Sequence, residues 1–160
     1  MDTADLHFHT TNSDGKHSVQ WVVEALSKAK KNDLSLAVLT DHDGVAGFEE
    51  FSEGVRKWWT PICASELSCS FTDPATGKDR ELHLLMYGLD PHDPELVQNF
   101  DRFKKEREAR FFKICEKLEV AGFPINGKAF AEKHPGVLGR PHVADALIVS
   151  GIVQTRKESF

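Results

Sequence analysis

Along this chain the spacing of apolar positions switches between a strand period and a helix period. Residues 3–9, Thr-Ala-Asp-Leu-His-Phe-His, predict a short first strand. A turn-rich stretch from Thr10 to Lys16 follows, broken by Asp14-Gly15. Ser18 is placed to cap a helix running to about Lys31, with Val19, Val22, Val23, Leu26 and Ala29 at helical spacing. Leu34 to Thr40 is an unbroken apolar run of strand length, as expected of a strand buried on both faces. Gly44 to Trp58 reads as a helix, with Val45, Phe48, Phe51 and Val55 on one face. Thr60–Ser70 and Glu81–Leu89 read as strands, and the turn signal Asp73-Pro74-Ala75-Thr76-Gly77 between them makes a hairpin. The order β-α-β-α-β-β is the opening of an α/β domain with a largely parallel sheet.

The pattern changes near Pro91–Pro94. From Glu95 to about Ala121 the sequence predicts one long helix, with Leu96, Phe100, Phe103, Phe111, Ile114 and Leu118 on one face and Gly122-Phe-Pro124 ending it. Gly127–Lys133 and His142–Val149 read as shorter helices, separated by Pro135-Gly136 and Gly139-Arg140-Pro141. The chain therefore divides into an α/β part, 1–94, and an all-helical part, 95–160.

Composition narrows the class. With 160 residues, 40% of them hydrophobic, eleven Phe and three Trp, the chain can bury a sizeable core, which excludes a disordered or collagen-like protein. No apolar run reaches the roughly 18 residues of a membrane span, and the start, MDTADLHFH, lacks the regions of a secretory leader. Three cysteines, Cys63, Cys69 and Cys115, odd in number and without metal-type pairing, suggest free thiols and a cytoplasmic location. The net charge of −5 gives no sign of a protein that coats nucleic acid, but it hides an asymmetry. Residues 1–95 hold 8 Lys+Arg against 17 Asp+Glu, whereas residues 96–160 hold 12 against 8.

The candidate chemistry sits at the strand ends of the acidic part. The first strand ends in His7-x-His9, and alternation puts residues i and i+2 on one face, so both imidazoles can reach one ion. Asp14 follows from the adjoining turn. The second strand ends in Thr40-Asp41-His42-Asp43, the third reaches Glu66, and the fourth carries His83. Strand ends are where α/β enzymes build their sites, and imidazole with carboxylate is a ligand mix suited to Zn, Mn or Fe. Asp41 and Asp43 are candidates to orient ligands or to cap the next helix. His17, His92 and His134 have no such company and are expected at the surface. In the basic part, Arg140 precedes Pro141-His142 in a tight loop, where a guanidinium can grip phosphate. Most charges of the long helix read as a solvated face with i,i+4 pairs.

Asp5-Leu-His-Phe-His-Thr-Thr-Asn-Ser-Asp-Gly15, then Leu39-Thr-Asp-His-Asp43, then Glu66, then His83 resemble the polymerase and histidinol phosphatase (PHP) superfamily. Gly139-Arg140-Pro141-His142-Val143-Ala144 is similar to one branch of it, phosphoesterases with a helical cap that act on nucleoside 3′,5′-bisphosphates, nucleoside monophosphates or RNA 5′ ends. The resemblance implies an N-terminal part of a distorted (βα)7 barrel with an inserted helical cap, holding two or three divalent ions, Mn, Fe or Zn. It implies that His7, His9 and Glu66 hold one ion, that Glu66 bridges to a second held by His83, and that Asp14 and His42 hold a third. Basic residues on the corresponding helix of related proteins single out Arg107 and Arg110, with Arg140 and His142, as substrate contacts. Asp41, Asp43 and His142 are candidates to protonate the leaving alcohol.

The same resemblance calls for further ligands from the later barrel, a His in an Ala-His-Pro-like segment and then an Asp and a His in an Asp-x-His motif, and the residues after the Gly139-Arg140-Pro141-His142 loop include neither. Each implied ion lacks at least one ligand. The expectation is an N-terminal piece of a longer protein, inactive or weak by itself, with an open sheet edge through which it could pair as a homo-oligomer. A histidinol-phosphate phosphatase is a weaker fit because of the Gly-Arg-Pro-His loop and the helical cap. A truncated, non-catalytic metal-binding or interaction module fits less well with six retained motif residues.

Overall fold

The computed structural model describes residues 3–29 and 34–160. Strand β1 (Thr3–Phe8) pairs in parallel with β2 (Leu34–Leu39), and helix α1 (Val19–Ala29) makes the crossover. Helix α2 (Phe48–Val55) leads from β2 to the hairpin of β3 (Ala64–Thr72) and β4 (Asp79–Tyr87). The helical part follows as α3 (Pro94–Val120), α4 (Gly127–Glu132) and α5 (Arg140–Val149), closed by a 3-10 turn, Arg156–Ser159, that the sequence pattern did not suggest.

The sheet is less parallel than expected. Among the described residues only β1–β2 is a parallel pair of strands, and β3–β4 is antiparallel in unbroken register from Ala64↔Tyr87 to Thr72↔Asp79. One parallel bridge, His42↔Glu66, joins the two halves, and it lies at the residues that carry the candidate chemistry. Strand β3 starts at Ala64 rather than Thr60, in keeping with Pro61, which has no N–H for a ladder. The helix expected over Gly44–Trp58 is confined to Phe48–Val55, because the Gly44 N–H is taken by the Ser65 hydroxyl (3.1 Å) and Gly47 sits at the N-cap. The end expected for α1 at Lys31 lies outside the described residues.

Two apolar cores hold the elements. Under β1–β2, Val19, Leu26, Ala37, Leu39, Phe51 and Val55 pack together, with Phe8, Val22 and Val23 at the margin. In the helical part, Phe111, Cys115, Ile125, Phe130, Leu138, Val143, Ala146 and Leu147 form the other. The caps are those the sequence allows. The Ser18 hydroxyl accepts the Trp21 N–H (3.2 Å), and Asp93 accepts from the Glu95 and Leu96 N–H groups (2.8 and 3.0 Å) with Pro94 in the first turn of α3. β1 is exposed along most of its length, and Phe71, Leu82 and Leu84 are exposed on the hairpin face opposite Glu66 and His83. Cys63, Cys69 and Cys115 are free thiols. Among the described residues no helix is long and apolar enough to cross a membrane.

Candidate metal centre

The strand period sets the site. His7 and His9 leave the same side of β1, and Glu66 leaves β3 beside them. His7 Nε2 lies 2.8 Å from Glu66 Oε2, His9 Nε2 lies 3.0 Å from the same oxygen, and the two Nε2 atoms are 3.2 Å apart. His83 Nδ1 meets the other carboxylate oxygen of Glu66 at 2.7 Å. His42 stacks on His9 with ring centroids 4.7 Å apart and presents its edge to His83 at 5.0 Å. Asp14 Oδ1 is 3.9 Å from His9 Nδ1, and its Oδ2 is 3.8 Å from His42 Nε2. All six sequence-predicted ligands therefore converge. They form three overlapping groups, His7–His9–Glu66, His9–Asp14–His42 and His42–Glu66–His83, whose ligand atoms lie within 4.8 Å of one another.

This donor set fits a divalent cation. Ligand atoms about 2.1 Å from one ion lie about 3.0–3.4 Å apart, and the His7, His9 and Glu66 atoms, 2.8 to 3.2 Å from one another, are near that spacing. His9 Nδ1 and His42 Nδ1 are buried without a hydrogen-bond partner among the described residues, and a lone pair left so is costly unless a cation or donor meets it. Burial by itself would push the Glu66 carboxyl up, but hydrogen bonds from His7 and His83 and the charge of His42 outweigh it and hold the group below its ordinary value. Burial lowers the pKa of His42 against the opposing pull of Asp14 and Glu66.

The loop that carries Asp14 is anchored from below. Asp41 is buried and accepts three hydrogen bonds, from Thr10 N–H (2.7 Å), the Thr10 hydroxyl (2.6 Å) and the Ser13 hydroxyl (2.6 Å). The Gly15 N–H closes the turn on Thr10 C=O at 3.0 Å, and a side chain at Gly15 would stand 2.3 Å from the His9 carbonyl oxygen, so only glycine fits. Thr10 and Ser13 escaped notice in the sequence because their partner lies about thirty positions away. Asp41→Ala strands three donors in the interior at about 1–3 kcal/mol for a buried group. The expected result is a fall in urea stability with weakened metal uptake, checked by denaturation and metal titration of the same variant.

The helical part forms one wall. Val137 N–H donates to Asn12 C=O at 2.7 Å, and a cavity of about 570 Å³ opens between the two parts, bordered by Asp14, His42, His83, Arg107, Arg110 and Arg140. Arg140 pairs with Glu81 at its mouth. Arg110 makes no ion pair among the described residues and is exposed. Arg107 is instead occupied, donating from Nε to Asp43 Oδ2 (2.5 Å) and from Nη2 to the Ser68 hydroxyl (2.5 Å).

His142, expected as a substrate contact, lines a second cavity beside Asp14. It is buried, its Nδ1 accepts the Gly139 N–H at 3.0 Å, and its ring lies against the Ser13 backbone, so the start of α5 packs on the Asp14 loop. Burial and the neighbouring His134 lower its pKa. His134 is not a surface residue as expected; it is half-buried, stacked on Phe130 at 3.9 Å with Nδ1 on the Phe130 carbonyl. His17 and His92 are exposed, the former stacked on Trp21 at 3.6 Å.

No protein-family model matches the chain. Individual relatives do. The chain is 28% identical over 163 residues to a 3′,5′-nucleoside bisphosphate phosphatase of Chromobacterium violaceum and 29% identical over 159 residues to a 5′-3′ exoribonuclease of Haemophilus influenzae. These alignments cover 100% and 98% of this chain and 54% of each relative. A solved structure from Bifidobacterium adolescentis, named for a metal-dependent phosphoesterase, superposes with a TM-score of 0.83 at 27% identity over 99% of this chain and 54% of its own. The chain is thus similar to phosphatases, exoribonucleases and metal-dependent phosphoesterases, in keeping with the resemblance its motifs carry. It spans about half the length of the curated relatives it matches.

Proposed function

We propose that the chain provides part of the catalytic centre of a metal-dependent phosphoesterase that hydrolyses a phosphomonoester of a nucleotide, as a 3′,5′-bisphosphate or monophosphate, or of an RNA 5′ end. The observation that carries this reading is the sharing of His9, His42 and Glu66 among three metal-capable groups that open on an arginine-bordered cavity. The relatives named as a bisphosphate phosphatase and an exoribonuclease support it.

In this reading His7, His9, Asp14, His42, Glu66 and His83 hold two or three Mn, Fe or Zn ions, with further ligands from outside these 160 residues. Bound divalent cations supply charge neutralisation of a phosphate and activation of water. Arg110 and Arg140 draw in the anionic ester, Arg140 by exchanging its exposed partner Glu81 for phosphate. Asp41, Asp43 and His142 are each committed to hydrogen bonds that fix the loops, so they shape the site and do not exchange protons with the substrate. The leaving alcohol then takes its proton from solvent or from a residue beyond this chain.

The architecture in this reading is the first part of a distorted (βα)7 barrel, 1–94, with a helical cap, 95–160, in a cytoplasmic protein. The exposed β1 edge is where the remaining strands, or a second copy of the chain, add. Phosphate release from adenosine 3′,5′-bisphosphate, AMP and a short 5′-phosphorylated RNA by the full gene product tests the function. Activity lost to a chelator and restored by Mn²⁺ is expected. Indifference to the chelator removes the metal, and failure on all three substrates removes the nucleotide.

A further inference from the structure

We infer that Arg107 is a positioning residue that fixes the spacing of His42 and Glu66, and not a phosphate contact of the cavity it borders. The inference deepens the metal reading and rests on it.

Three side chains close a ring at the junction of the two parts. Arg107 of α3 donates Nε to Asp43 Oδ2 at 2.5 Å and Nη2 to the Ser68 hydroxyl at 2.5 Å, while the Ser68 N–H donates to Asp43 Oδ1 at 2.7 Å. Each partner sits next to a candidate ligand. Asp43 follows His42 directly, its N–H donates to the Glu66 carbonyl at 3.0 Å, and Ser68 stands two residues beyond Glu66 on the same face of β3. Asp43 has φ 47, the left-handed region that costs a residue with a side chain, and it is the only non-glycine with positive φ among the described residues. That turn sends the chain across from β2 to β3 at the His42↔Glu66 bridge. The guanidinium, joined to both sides of the bridge, holds it there.

Burial decides between the two roles. The side chains of Arg107 and Asp43 are 12% and 4% exposed. An arginine turned outward to phosphate would leave the Asp43 carboxylate buried and unpaired, a strongly unfavourable state. Arg110, one helical turn further along α3, borders the same cavity without an ion pair among the described residues, and it can take that task without such a cost.

Groups that orient metal ligands from outside typically change metal affinity about 10–100-fold when removed. Co²⁺ titration of the chain, followed by visible absorption, reads ligand geometry as well as affinity. Arg107→Gln and Asp43→Asn should each bind Co²⁺ about tenfold more weakly with an altered spectrum, and the double variant should be little worse than either, about twentyfold, because both break one ring. Arg107→Lys, which keeps the charge but not the fork, should recover part of the affinity without restoring the spectrum. Inorganic phosphate affinity at saturating Co²⁺ should stay within about twofold of wild type for Arg107→Gln and fall for Arg110→Gln. Wild-type Co²⁺ affinity and spectrum in Arg107→Gln, with phosphate affinity lost, would overturn the proposal. A wild-type chain that takes up no Co²⁺ would instead overturn the metal reading itself, a separate result.

Discussion

Glu66→Gln should reduce the affinity of the chain for divalent metal by more than about 100-fold, beyond the range typical of groups that only orient a ligand. The reason lies in how many contacts converge on one carboxylate. His7 and His9 meet one oxygen of Glu66 and His83 meets the other, so Glu66 belongs to two of the three metal-capable groups. Glutamine keeps the volume but removes the charge and turns one acceptor into a donor aimed at imidazole nitrogens. The fold should persist, because the buried Glu66 carboxylate faces a cluster of imidazoles and neither apolar core. Calorimetric metal titration beside urea denaturation separates the two effects. Unchanged affinity would remove Glu66 from the site.

Phe111→Ala should destabilise the chain by about 3–5 kcal/mol, the usual range for truncating a buried phenylalanine. Phe111 is 2% exposed at the centre of the helical core, stacked on Phe130 at 5.9 Å and edge-on to Phe112 at 5.5 Å. The neighbours are fixed by α3, α4 and α5 at once, so collapse into the hole is restricted. Because α5 also carries His142, which packs on the Asp14 loop, metal affinity should fall along with stability. Urea denaturation checks the first effect, and metal titration below the transition checks the second. A loss under about 1 kcal/mol would mean that the helical part repacks freely around the gap.

The sequence made the ligand set readable because strands have a fixed period. His7 and His9 are two apart, so they share a face wherever the strand lies, and the turn residues Asp14-Gly15 close beneath them. The end of the apolar run at Thr40 located His42 in the same way. What pattern could not show was pairing over distance. Asp41 looks like a member of the motif, yet its partners are Thr10 and Ser13, and it anchors a loop. Asp43 adopts a left-handed turn that no neighbour in sequence requires; its demand comes from β3 and from Arg107, 64 positions away. His134 reads as a surface residue, and stacking on Phe130 places it inside, while His142 is buried at the cap of α5. The hairpin turn was legible in Asp73–Gly77, but its antiparallel register leaves the sheet mostly non-parallel, with one bridge at His42↔Glu66 where the chemistry gathers.

The central claim is that these side chains hold divalent metal. Elemental analysis of the chain, after dialysis against mixed Mn²⁺, Fe²⁺ and Zn²⁺ and then metal-free buffer, tests it most directly, with Glu66→Gln treated alongside. At least one retained ion per wild-type chain, and none in the variant, is the expected outcome. A metal-free wild type, or equal retention in both, would contradict the account.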